Sequence, residues 1–152
     1  MAICNSSSPT LHNICGFDIE DLKESIFKRE EIASINILDL NMICIEISPY
    51  CDHAQQNMKK AKLMTGFILN EELILKTKSK TDFIYKSNPL FLLNNTTKQF
   101  IYLSFRHIFR VNPTFVSTLT PLFRIRKEMV NEIQHQTSFY LSRPGLTTLY
   151  ES

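Results

Sequence analysis

Residues 47–55, Ile-Ser-Pro-Tyr-Cys-Asp-His-Ala-Gln, put a thiol, a carboxylate, an imidazole and an amide on one short turn. A turn that follows a rigid strand holds such groups in place for chemistry. Cys51 would act as a nucleophile if a nearby cation or helix end lowered its pKa. His53 stands two residues away and Asp52 is suited to orienting an imidazole. Neighbours in sequence rarely make a working set, because the fold usually brings the partners from elsewhere. His135, far along the chain, is then the distant base. The plain alternative is a small buried cysteine beside an aspartate that caps a turn.

Two other chemistries draw on the same region. Cys44, Cys51, His53 and His135 offer zinc-ligating atoms, but C-x6-C-x-H lacks the tight paired spacing of zinc motifs, so no metal is expected. Arginine supplies the second, since its planar fork binds carboxylate or phosphate through two parallel bonds. Arg124 and Arg126 flank one helical turn, and Arg143 sits in Ser142-Arg143-Pro144-Gly145. Arg126 is expected beside an apolar stripe, paired with Asp52 or Glu46, as a structural ion pair or an anion site. Arg124 has Glu128 four residues on, a surface pair worth about 0.3–0.5 kcal/mol. His107 alternates with Phe105 and Phe109 and reads as a hydrogen-bonded core residue. Phe100 and Tyr102 read as sheet packing, with base stacking as the functional alternative.

Composition removes several classes. The three glycines, Gly16, Gly66 and Gly145, are too far apart for a Walker loop or a dinucleotide turn. ATP, GTP and NAD sites of those types are excluded, and no cofactor is expected. A formal net charge of +2 gives no strong nucleic-acid field. Lys59, Lys60 and Lys62, with Lys76, Lys78 and Lys80, are local basic clusters that read as solvated loops or a guarded strand edge. The first 15 residues lack the apolar core of a signal peptide, and no run is long enough for a membrane span. The expected compartment is the cytoplasm, with Cys4, Cys15, Cys44 and Cys51 reduced.

The elements that must carry these groups follow from periodicity. Residues 1–16 read as a flexible arm and residues 17–152 as a single α+β domain. Asp18 caps a short helix marked by Ile19, Leu22 and Ile26 and running to about Arg29. Ile43, Ile45 and Ile47 alternate with Cys44, Glu46 and Ser48 as a half-buried strand that Pro49 ends. Further strands are expected at 63–69, bent at Gly66, and at 83–85. A hairpin is expected over 90–105, in whose second arm Ile101, Leu103, Phe105, His107 and Phe109 share a face. Thr120 and Pro121 predict the start of a long helix that stops near Ser142. In that helix Leu122, Ile125, Met129, Ile133 and Tyr140 form one stripe. Arg124, Glu128, Asn131, His135 and Ser138 lie opposite. The order predicts a small, partly closed antiparallel β-barrel with a short N-terminal helix, closed by a long C-terminal helix.

Ile45-Glu46-Ile47-Ser48-Pro49-x-Cys51-Asp52-x-Ala54-Gln55, then Ala61-Lys62-Leu63-x-x-Gly66-Phe67-Ile68-Leu69, resembles a group of uncharacterised bacterial proteins with a TP-x-CD-x-AQ turn between two strands. The tail from Leu122-Phe123-Arg124-Ile125-Arg126 through Gln134-His135 to Ser142-Arg143-Pro144-Gly145 resembles the end of the same proteins. This likeness covers roughly residues 42–145. It carries over Cys51, Asp52, Gln55, Arg124, Arg126, Gln134 and Arg143 as site positions, whereas His53 falls where that group varies. In topology the chain also resembles the SH3-like barrels of the PemK/MazF toxin class, without their Gly-rich, basic first loop.

The function expected is that of a bacterial intracellular interaction or sensing module, in a stress or defence system. Asp52, Gln55, Arg124, Arg126, Gln134 and Arg143 would form its polar site for a protein partner, RNA or another anionic ligand, with a homodimer as one assembly. The alternative is a small metal-independent ribonuclease or other hydrolase of the PemK/MazF-like type. There Cys51, Asp52 and His135 are the candidate catalytic groups, and Arg126 or Arg143 would stabilise phosphate charge.

Overall fold

The computed structural model describes residues 2–5 (backbone only), 18–48, 59–79, 81–91 and 96–142. Among these residues, six strands form one sheet: β1 (Ala2–Asn5), β2 (Asn41–Glu46), β3 (Ala61–Asn70), β4 (Ile84–Lys86), β5 (Gln99–Val111) and β6 (Thr120–Arg124). Their spatial order is β4-β5-β3-β2-β1-β6, and every neighbouring pair is antiparallel. Among the described residues, four α-helices accompany them: α1 (Ile19–Ile26), α2 (Glu71–Ile74), α3 (Pro113–Val116) and α4 (Lys127–Leu141). Class and strand pairing agree with the expected α+β chain, and β4 and β6 are the edges of an open sheet. Helices cover both faces of that sheet, where a partly closed barrel was expected to be covered by one helix.

Coverage on both faces explains the burial pattern. On one face α1 packs Leu22, Ile26 and the following Phe27 against Met42, Cys44, Leu63, Phe67 and Tyr102, joined by Leu73 of α2 and Phe115 of α3. On the other, Ile133 of α4 packs with Ile43, Ile45, Met64, Ile101, Leu103 and Phe105. Odd and even residues of β2 are thus both buried, and Cys44 lies in a core rather than on a polar face. This is how a strand reads when covered on both sides. Each fully buried aliphatic side chain contributes about 1.5–3 kcal/mol.

Local signals fix several boundaries. Asp18 caps α1 by accepting from the Glu20 N–H at 3.0 Å. Helix α4 ends at Ser142, whose N–H bonds the Ser138 carbonyl.

Three expectations are corrected. Ala2–Asn5, read as part of an arm, form β1 between β2 and β6. Thr120 and Pro121 do not start a helix: residues 120–124 are β6, and α4 begins at Lys127 after an extended Arg126 at φ −68°, ψ 150°. Pro121 is tolerated because β6 is an edge strand. The third concerns β5. Its register against β3 shifts between Met64/Gly66, where Gly66 faces Leu103 but Met64 faces Ile108. The extra residues are a bulge, which reverses the alternation. Ile101, Leu103, Phe105 and Ile108 therefore share one face, while Phe109 and Val111 lie on the other.

Candidate functional site: a cationic groove beside the last helix

The groove lies where α4 crosses β3 and β5, with a volume of about 560 Å³. Its floor is apolar, from Ile47, Phe105, Ile108 and Leu141. Helix α4 contributes Gln134, Thr137 and Ser138, and the strands contribute Lys62, Arg106 and Arg110. Lys62 and Arg110 are Cα partners across the β3–β5 ladder. Like charges directly opposite each other cost stability in a sheet. The β5 bulge makes this arrangement, because it sets the residues after Phe105 in a new register with β3.

Arg106 is held from two sides. Its guanidinium carbon sits 3.7 Å from the centre of the Phe83 ring, and its Nε donates to the Tyr140 hydroxyl at 3.2 Å. Tyr140 in turn packs against Phe105, with ring centres 5.9 Å apart, and against Phe83 at 6.5 Å. Stacking on an aromatic face is worth about 0.5–1 kcal/mol at an exposed site. It pre-orients the remaining N–H donors of the fork, so less entropy is lost when they bind an acceptor. Among the described residues, no carboxylate forms an ion pair with Lys62, Arg106 or Arg110.

The strand end beside the groove is tied down by side chains. Gln134 Nε2 donates to the Ile47 carbonyl at 2.9 Å and lies 3.5 Å from that of Ser48. The buried Ser48 hydroxyl accepts from the Lys62 N–H at 3.0 Å, and the Ile47 N–H bonds the Lys62 carbonyl at 2.9 Å. On the other side of α4, the Tyr85 hydroxyl donates to Glu132 at 3.4 Å. Burial first, then the Glu132 charge, pushes the Tyr85 pKa up to about 12.

Of the six site residues expected from the sequence, Arg124, Arg126 and Gln134 are among the described residues, and of these three Gln134 lines this groove. Arg124 is exposed on β6, so Glu128 in α4 is not its helical i+4 partner. Arg126 is exposed at the N-cap of α4 rather than beside an apolar stripe. The extended backbone from 120 to 126 replaces the helical period on which both readings rested. His135 is exposed and lines a second pocket of about 430 Å³ with Asp82 and Phe139. Cys51, Asp52, His53, Gln55 and Arg143 lie outside the described residues. Among the described residues, no three of His, Cys, Asp and Glu gather to hold a metal ion. His107 is half-buried and its Nδ1 lies 2.7 Å from the Ser104 hydroxyl, as expected of a hydrogen-bonded histidine.

The sequence reading missed Arg106 and Arg110 as site residues and set Lys62 aside as a solvated lysine. The available signal was charge: Arg106, Ile108 and Arg110 alternate in a hydrophobic stretch. The pairing with Lys62 depends on a register that alternation alone does not give.

Among the described residues, no helix is long and apolar enough to cross a membrane. No family model, curated protein or solved structure matches this chain.

Proposed function

We propose that this protein is a binding or sensing module that takes an anionic ligand in the groove between α4 and the β3–β5 pair. The observation that carries the reading is the facing of Lys62 and Arg110 across two strands, with Arg106 clamped nearby. Unliganded, that pairing opposes folding; with an anion between the charges it becomes favourable. Ile47 and Lys62 also flank, in sequence, the segment that carries Cys51, Asp52 and Gln55. That adjacency in sequence supports a role for the CD-x-AQ motif in the same module.

The hydrolase alternative needs a general base beside the phosphate-binding cations. The described lining of the groove contains no His, Cys, Asp or Glu, and His135 lines a different pocket. Binding without catalysis therefore asks less of these residues.

The test is thermal melting of the full chain in phosphate against chloride at matched ionic strength. Phosphate should raise Tm through preferential binding to the folded state. An Arg106→Gln/Arg110→Gln double variant should lose that extra rise and keep only the general stabilisation by excluded salts. Equal responses of the two proteins would overturn the reading.

A further inference from the structure

The groove's composition specifies more than negative charge. We infer that its ligand is a small phosphate monoester with an apolar body, an inference that rests on the anion-binding reading above. Three observations converge on this class. Lys62 and Arg110 stand at directly paired backbone positions and both line the groove, so it takes two cationic side chains from one rung of the ladder. A carboxylate would neutralise one of them. A phosphate monoester carries about −1.5 to −2 at pH 7 and offers three acceptor oxygens, enough to engage both. Arg106, held by Phe83 and Tyr140, presents a second, fixed set of donors in the same groove.

The floor supplies the second half of the ligand. Ile47, Phe105, Ile108 and Leu141 would be covered by an apolar body, whereas a bare inorganic anion would leave them wet. The third observation concerns size. A volume of about 560 Å³ falls among small-molecule sites, which run from about 300 to 1,000 Å³. The chain's net charge is only +2, so the positive potential is local. A polyanion such as RNA gains most from an extended basic field, which this composition does not provide.

Calorimetric titration of the full chain tests this with inorganic phosphate, hexyl phosphate, hexanoate and a single-stranded oligoribonucleotide. Hexyl phosphate should bind about tenfold tighter than inorganic phosphate, the gain from burying about two methylene groups. It should also bind more than tenfold more tightly than hexanoate, which carries a single charge and an alkyl chain one methylene shorter, a difference worth only about fourfold. Arg110→Gln should weaken both phosphates about tenfold or more. It should also leave the unliganded protein as stable or more so, because it relieves the pairing with Lys62. Leu141→Ser, at a side chain already 57% exposed, should weaken hexyl phosphate and not inorganic phosphate.

Equal affinity for the two phosphates would overturn the apolar body while leaving the anion site intact. Hexanoate binding as tightly as hexyl phosphate would overturn the dianion. Tightest binding by the oligonucleotide, falling steeply with salt, would overturn the small ligand in favour of a nucleic acid. Failure of every anion to bind would remove the underlying reading as well.

Discussion

Gln134 illustrates how one side chain can belong to a site and to the fold together. Its amide lines the groove and also satisfies the Ile47 carbonyl, fastening α4 to the end of β2. Gln134→Leu keeps most of the volume and removes the donor. It should cost about 1–2 kcal/mol, because it leaves a carbonyl with a lost partner. Urea denaturation checks this, and unchanged stability would mean that Gln134 serves the groove alone. His107 makes a pH-dependent contribution. Burial lowers its pKa below 6.5 and Arg106 lowers it further, against an opposing pull from Asp21. The folded protein therefore resists a proton that the unfolded chain accepts. Relative to His107→Gln, stability should be fully present above about pH 6.5 and decline as the pH falls below it. Melting of the two proteins across pH 5–7.5 measures the difference, and parallel curves would contradict it.

At the scale of elements, the β3–β5 ladder carries the main burden. The two strands come so close at Gly66 that a Cβ there would lie 1.7 Å from the Tyr102 carbonyl oxygen. That neighbour is backbone in a fully paired sheet and has no flexible end to move aside. Gly66→Ala should therefore destabilise by about 3 kcal/mol or prevent folding, against about 1–3 kcal/mol for ordinary overpacking. Chemical denaturation or soluble yield reads the outcome, and a stable Ala variant would contradict this register. Gly66 was legible in the sequence as a bend in a strand, but the reason for the glycine was not. Only the pairing with β5 reveals which backbone comes close. The 120–126 stretch misled for a related reason. Leu122, Ile125 and Met129 fit a helical stripe, yet Leu122, Phe123 and Ile125 serve an extended edge strand equally well when they pack on the α4 side of the sheet. Short apolar patterns of this kind do not distinguish strand from helix.

At the scale of the molecule, one antiparallel sheet separates two cores and the groove opens on the α4 side. This arrangement explains why both the fold and the site were only partly readable. A half-buried strand announces itself by alternation, so burial on both faces makes β2 look like a simpler element than it is. The groove draws Lys62, Arg106 and Arg110 together with Gln134 and Ser138 from three elements. No short motif marks such a set. Its binding strength should nevertheless depend on salt only modestly, since the charge involved is local.

Sequence by itself determined the Asp18-capped helix α1, the strands near 43–47, 63–69 and 83–85, and the end of helix α4 near Ser142. Each of these rests on interactions within a few residues: a cap, an alternation or a helix terminator. Tertiary structure decided the pairing of β1 with β2 and β6, the bulge in β5 and the placing of two cations across one ladder. These depend on strand register and on which face each helix covers. The free energy that sets them comes from contacts between residues far apart in the chain, and local patterns do not record it.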